Sequence, residues 1–196
     1  MTALTRPDVR LAASWAEAMT EFGDEQVHGS GNWHIPEGER RLFTEESCAR
    51  WVEELRRRGD VDVEPEPGMV HSDYFWITDG DPETVVGFLA LRHSLTEWLF
   101  EQGGHIGYSV RPSRRRQGHA GRALLLALDR ARELGLDRVL LTCDEDNVAS
   151  RRTIEGGGGV YEDTRSGRHR LWIDLTRAAD AAPVSRARDG ADAAPA

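Results

Sequence analysis

A run of basic and glycine residues, Arg114-Arg115-Arg116-Gln117-Gly118-His119-Ala120-Gly121-Arg122, leads straight into the apolar Ala123-Leu124-Leu125-Leu126-Ala127-Leu128. A basic, glycine-punctuated turn that opens an amphipathic helix presents backbone N–H groups to an anion. The first-turn N–H groups have no intrahelical partner, and the helix dipole adds partial positive charge there. Gly118 and Gly121 lack a Cβ, so a ligand can approach the main chain closely. The preceding His105-Ile106-Gly107-Tyr108-Ser109-Val110-Arg111-Pro112 reads as a strand that a proline ends. Strand, basic turn and helix together are the context of a phosphate site.

Two common nucleotide loops are excluded. A P-loop needs Gly-x-x-x-x-Gly-Lys-Ser/Thr, and the chain contains no lysine. A dinucleotide fingerprint needs Gly-x-Gly-x-x-Gly at the head of a helix, which Gly118-His119-Ala120-Gly121 does not supply. The turn instead resembles the acyl-CoA pyrophosphate loop of the GCN5-related N-acetyltransferases (GNAT), Arg/Gln-x-x-Gly-x-Gly/Ala. Arg115 to Ala120 matches it at every position. After the helix, Gly135 is a C-cap signal, and Leu136 to Cys143 is an apolar run of strand length. Asn147 then stands where the family opens a short helix, Gly158 where that helix ends, and Val160-Tyr161 where another strand begins. The resemblance spans roughly residues 70 to 175, closest to a bacterial subgroup with Gly-His-Ile-Gly-Tyr-Ser and Asp-Asn-x-Ala-Ser segments and no defined substrate.

The resemblance implies an α/β (α+β) fold. Its mixed central sheet of about six to seven strands would have splayed parallel central strands, flanked by about four helices. It implies acetyl-CoA as acyl donor and no metal. Tyr108 and Val110 would offer main-chain groups to the pantetheine arm, Asn147 its side-chain amide and Ser150 a hydroxyl. The turn Arg115, Arg116, Gln117, Gly118, His119, Ala120, Gly121 and Arg122 would hold the pyrophosphate. Its arginine side chains would add long-range attraction and pair with the ribose phosphate.

Direct acyl transfer to an amine needs a neutral acceptor, a route for its proton and an acid for the leaving thiolate, each positioned group being worth about 10²–10⁴-fold. No covalent nucleophile is required. The family's usual acid is a tyrosine in the helix after Asn147, where this chain has Ile154; Tyr161 is the nearest tyrosine in sequence, either an acid or a packed strand aromatic. His105 is the candidate base, because its ordinary pKa suits proton acceptance near neutrality. A bulge after Gly103-Gly104 would change the face it uses. Glu97, Glu101 and Asp144 are alternatives acting through water. Cys143 reads as a small buried hydrophobe. Trp33 and His34, in a glycine-rich loop, either line the acceptor cleft or anchor a surface loop.

The elements that must position these residues are legible in outline. Residues 9–22 carry a helical stripe of Leu11, Trp15, Ala18, Met19 and Phe22. A second helix starts after the N-cap Thr44, buries Cys48, Trp51, Val52 and Leu55, and ends at Arg56-Arg57-Arg58-Gly59. Residues 61–70 read as a connector, and 71–78 and 84–94 as strands joined by Asp79-Gly80-Asp81-Pro82. Residues 95–102 fit a short helix or a strand extension, and residues 160–163 and 170–175 a closing hairpin. We expect helices and connector over 1–70 on the acceptor side, an acyl-CoA-binding core over 71–175 continuous with them, and a disordered tail over 176–196.

The chain has 196 residues, a formal net charge of −9, two cysteines and seven histidines. Two cysteines give neither a disulfide framework nor metal-ligand spacing. The acidic balance argues against nucleic acid, whose phosphates call for Lys and Arg. No stretch approaches the roughly 20 apolar residues of a membrane span, and the reading is a soluble cytoplasmic protein. The expected activity is acetyl-CoA-dependent N-acetylation of a primary amine on a small molecule, with a homodimer open. Beside it stand a protein- or carrier-linked acyltransferase and a non-catalytic acyl-CoA-binding module.

Overall fold

A computed structural model describes residues 1–176; the tail expected to be disordered lies, from residue 177 on, outside the described residues. In chain order the elements are β1 (Ala3–Thr5), α1 (Ala12–Phe22), α2 (Glu45–Gly59), β2 (Ser72–Asp79), β3 (Thr84–Arg92), β4 (Ile106–Val110), α3 (His119–Glu133), β5 (Arg138–Asp144), α4 (Val148–Gly156), β6 (Val160–Arg165) and β7 (Arg168–Asp174). The helix expected from Val9 begins as a 3-10 turn over Val9–Leu11 before α1. The ambiguous stretch resolves on the helical side, with a π-helical turn over Leu99–Gly103. β1 carried no sequence signal; three residues long, it exists because β2 offers it an edge.

Local chemistry sets these bounds. Thr44 caps α2 through a reciprocal pair: its hydroxyl accepts from the Ser47 N–H at 3.2 Å, and the Ser47 hydroxyl accepts from the Thr44 N–H at 2.9 Å. β2 and β3 alternate between two cores, as a period of two requires. Tyr74, Trp76, Phe88 and Ala90 face α1 and α2, while Phe75, Ile77, Leu89 and Leu91 face α3 and α4. Both strands therefore read as near-continuous apolar runs. On the α3 side, buried Asp73 of β2 accepts from Arg6 at 2.9 Å and Arg130 at 2.8 Å, which ties the N-terminal segment and α3 to the sheet. Burial opposes ionisation of this carboxyl, but His93, Arg6 and Arg130 together outweigh it and hold its pKa well below the usual carboxylate range.

Seven strands and four α-helices match the expected inventory, but the sheet is open. The strands form a four-stranded sheet, β1-β2-β3-β4, and a three-stranded one, β5-β7-β6, and every strand pairing among the described residues is antiparallel. The expected splay of the central strands is present: β4 and β5 diverge from one hydrogen-bonded contact, which divides the strands into these two antiparallel sheets. That contact is His105. Its carbonyl accepts from Arg92 N–H at 2.8 Å on the β3 side, and its N–H donates to the Leu140 carbonyl at 2.7 Å on the β5 side. Its ring Nδ1 accepts from the Leu140 N–H at 2.9 Å. Gly104, at φ +66°, makes the approach feasible, since a Cβ there would lie 2.6 Å from the Leu140 oxygen.

Accepting at Nδ1 requires the neutral ring with its proton on Nε2. His105 is 7% exposed, and burial, with the charges of Arg92 and Arg138, holds its pKa at about 4. The unfolded value is about 6.5, so the folded state favours the neutral ring. The associated stability is complete above about pH 6.5 and is lost as pH falls towards the folded value. His105→Ala leaves the Leu140 N–H without its partner and should lower unfolding free energy by about 1–3 kcal/mol. His105→Asn, whose side-chain oxygen can accept the same bond, should recover part of it. Urea unfolding at pH 7 and pH 4.5 checks both points: the wild type should lose more stability between them than His105→Ala. An unchanged midpoint in His105→Ala would show that the ring does not hold the two sheets together.

Candidate functional site

The basic turn is built as the sequence suggests, and most of it is braced from behind. Arg116 (φ 60°) and Gly118 (φ +81°) adopt left-handed backbone conformations on either side of Gln117. Among the described residues, no hydrogen bond is formed by the N–H groups of Arg116 through Gly121. Successive unpaired N–H groups at a helix head form an anion cradle. Arg122 does not reach into it: its Nε donates to Thr2 Oγ1 at 2.8 Å and its Nη2 to the Gln117 carbonyl at 2.6 Å. Thr2 Oγ1 also meets Nδ1 of the buried His119 ring at 2.9 Å. Arg115 turns back to the Val110 carbonyl at 3.0 Å and pairs with Glu25. Gln117 donates to the Ser113 carbonyl at 3.2 Å. Arg116 alone of these three arginines forms no ion pair or hydrogen bond among the described residues.

From the turn a cleft of about 1520 Å³ runs along β4 and past α4. In an antiparallel pair the hydrogen-bonding direction alternates. The bonds Arg92 N–H to His105 and Arg111 N–H to Val86 set that alternation. With Leu89 opposite Tyr108 and Gly87 opposite Val110, the N–H and carbonyl of Tyr108 and Val110 point away from β3 into the gap. Among the described residues three of those four groups have no hydrogen-bond partner; the Val110 carbonyl holds Arg115. Across the gap, Asn147 caps α4, its Oδ1 accepting from the Ser150 N–H at 3.0 Å, which leaves its NH₂ on the cleft wall. The Tyr108 hydroxyl lies 3.1 Å from Ser150 Oγ, and burial pushes its pKa up despite those hydroxyl contacts. It therefore stays protonated.

The far end of the cleft is walled by the loop between α1 and α2. Trp33, 38% exposed, and His34 both line it, and His34 Nε2 meets the Tyr74 hydroxyl at 2.8 Å. Burial, with Arg58 nearby, holds the His34 pKa at about 4, and burial also lowers that of His28. Both rings are neutral at pH 7. Met69, Ser72 and Arg92 complete this end.

A family model described as Acetyltransferase (GNAT) family matches residues 37–155. The chain belongs to the GNAT acetyltransferase family. None of the curated proteins is detectably similar in sequence. Among solved structures, the ribosomal-protein-S5-alanine acetyltransferase of Vibrio fischeri superposes with a TM-score of 0.61 at 16% identity, covering 89% of this chain and 92% of that one. RimJ of Mycobacterium smegmatis, solved with CoA-disulfide, gives 0.59 at 21% identity over 88% and 81%. The microcin C7 self-immunity acetyltransferase MccE, in complex with acetyl-CoA and AMP, gives 0.59 at 12% over 88% and 92%. At these identities the likeness is one of fold. Family membership favours an enzyme over a non-catalytic module.

Of the turn, strand and helix-cap residues named from the sequence, Tyr108, Val110, Arg115, Arg116, Gly118, His119, Ala120, Gly121, Asn147 and Ser150 line one cleft; Gln117 and Arg122, which brace the turn, and the two catalytic candidates do not. His105 is the link between the sheets and is not among the cleft's lining residues. Tyr161 is also absent from the lining. It is 46% exposed on β6, where its hydroxyl meets Thr164 at 2.9 Å. It is neither a core aromatic nor a neighbour of the gap, because β7 lies between β6 and β5. Ile154 is fully buried in the core. Glu101 pairs with Arg165 at 2.6 Å and Asp144 with Arg168 at 3.1 Å. Cys143 lines the cleft as a neutral thiol, its pKa raised mainly by burial. Sequence reasoning missed Arg92, Tyr74 and His28; an arginine ending an apolar strand was the available signal for the first.

The cradle makes a direct prediction. At Gly118 a side chain is strained by the positive φ, and its Cβ would lie 2.7 Å from Arg122 Nη1, which braces the turn. Gly118→Val should weaken CoA binding at least tenfold, about 1.4 kcal/mol, in calorimetric titration of the folded variant. Unchanged affinity would place the phosphates elsewhere.

Proposed function

We propose that the protein transfers the acetyl group of acetyl-CoA directly to a primary amine of a small molecule. The observation that carries this reading is the continuity of the six unpaired N–H groups at Arg116–Gly121 with the unpaired edge of β4. The cradle suits a pyrophosphate, with Arg116 free to pair with the ribose phosphate. The Tyr108 N–H and carbonyl, the Val110 N–H and the Asn147 amide suit the amide groups of a pantetheine arm, which would lie beside β4 as an added strand does. Acetyl-CoA supplies an activated thioester carbonyl. A nitrogen–carbon bond forms to the acetyl group, the carbon–sulfur bond breaks, and the amine's proton balances the released thiolate.

The residues around the gap fit that chemistry without a covalent nucleophile. The amine must arrive neutral, and the neutral rings of His28 and His34 can accept a hydrogen bond from it without opposing charge. The Tyr108 hydroxyl, oriented by Ser150, is the proton donor we assign to the thiolate in place of the tyrosine that Ile154 replaces. A protein N-terminal amine is the second reading, supported by the ribosomal-protein acetyltransferase among similar folds.

Acetyl-CoA should raise the melting temperature, and desulfo-CoA nearly as much, because both bind only the native state. Thiol release from acetyl-CoA should then require an added amine. No thermal shift at millimolar ligand would sink the donor assignment. Tyr108→Phe keeps the strand edge and removes the hydroxyl. It should lower kcat at least tenfold with acetyl-CoA affinity unchanged, and a wild-type kcat would pass the acid role to water.

A further inference from the structure

The cleft holds a buried charge that the donor does not explain. Arg92 ends β3 and is 9% exposed. Its Nη1 donates to two neutral carbonyls, those of Gly103 at 3.3 Å and Gly104 at 3.0 Å. No carboxylate lies within ion-pair distance of it among the described residues. The other deeply buried arginine is treated differently: Arg170, 0% exposed, has Asp163 at 2.9 Å from its Nε and Glu162 on its Nη2. A buried charge without a counter-ion is costly unless something arrives to pair with it.

The guanidinium is also presented to the cleft. Both Nη atoms lie 3.8 Å from the place a Cβ on Gly107 would take. Arg92 and Gly107 both line the cleft. The face of Trp33 covers the guanidinium, 5.9 Å from ring centroid to Cζ. Any side chain at 107 would stand against the fork. CoA's phosphates cannot be the missing partner on the donor reading, because the cradle begins beyond Val110, and three residues of extended strand already span about 10 Å.

Resting on that reading of the donor, the geometry points to an acceptor that carries a carboxylate beside its amine, with Arg92 as the carboxylate anchor. The guanidinium fork suits a carboxylate in a bidentate pairing. Gly107 lies on the strand along which the donor arm would run, so the anchored carboxylate and the attacking nitrogen are close. An α-amino acid or a similarly short amino acid has that spacing. A long diamine or an aminoglycoside-like polycation does not, and would bring further positive charge against a buried cation. Trp33, Met69 and Tyr74 would face the remainder of such an acceptor, and they favour an apolar or aromatic side chain.

Matched acceptors test this on the wild-type protein. A set of α-amino acids is compared with their carboxamides in the thiol-release assay, with rates expressed per neutral amine. For accepted side chains, the acid should show a KM at least tenfold below its amide. In Arg92→Gln the KM of the acid should rise at least tenfold, to about that of the amide, with the amide's KM and the acetyl-CoA Kd unchanged. Arg92→Lys, which keeps the charge but not the fork, should fall between. Amides accepted as well as acids by the wild type would overturn the proposal, whatever the folding of the variants. So would an equal fall in kcat for acid and amide in Arg92→Gln, which would put the guanidinium on the thioester carbonyl. So too would a protein that binds acetyl-CoA but acetylates no amino acid. Calorimetry keeps the two readings apart, since loss of acetyl-CoA binding in the wild type would overturn the donor assignment itself.

Discussion

The architecture depends on where β4 and β5 stop being neighbours. His105 joins the two sheets with its carbonyl, its N–H and its ring, and beyond it the strands separate. The separation leaves the N–H and carbonyl of Tyr108 and the N–H of Val110 without partners among the described residues. An unpaired strand edge is a template for whatever can hydrogen-bond to it, and here it lines a cleft between α4 and the loop over Trp33 and His34. A second ring bond at the junction makes the opening abrupt. A wider hydrogen-bonded seam would close the gap, and a weaker one would let the sheets drift.

Charge is distributed to suit the same cleft. The chain is acidic as a whole, yet the cradle gathers arginines, most of which act on the protein. Arg122 holds the Gln117 carbonyl and Thr2, and Arg115 holds Val110 and Glu25. Exposed pairs of this kind contribute little energy each, but they fix the direction of main-chain dipoles. Attraction for an anion then comes from preorganised N–H groups, and Arg116 makes no ion pair or hydrogen bond among the described residues. At the other end the logic is reversed. Arg92 is buried with no carboxylate within ion-pair distance among the described residues, and its charge helps keep the pKa values of His28, His34 and His105 low.

Much of this was legible in the sequence because it is local. The α2 stripe, the Thr44 cap, the Asn147 cap, the glycine stop at Gly135 and the turn at 115–122 are all set by residues within a few positions of one another. The π-helical turn at 99–103 and β1 were not, since neither has its own periodicity. β1 is ordered by pairing with β2, some seventy residues away in sequence.

The sequence by itself determined the turn: a strand, a basic glycine turn and a helix head set out a row of N–H groups through backbone geometry alone, and their order carries the family. Only the tertiary structure decided the rest. It made His105 a structural ring by placing Leu140 against it, left Tyr161 on an outer strand, and brought the Tyr108 hydroxyl to Ser150. It also set Arg92 under Trp33 with no acid to pair it among the described residues. Each of these depends on which distant residue arrives opposite, and on how much water remains once it has. Burial and long-range partnership set a side chain's protonation and free hydrogen bonds, and neither is written in the spacing of neighbouring residues.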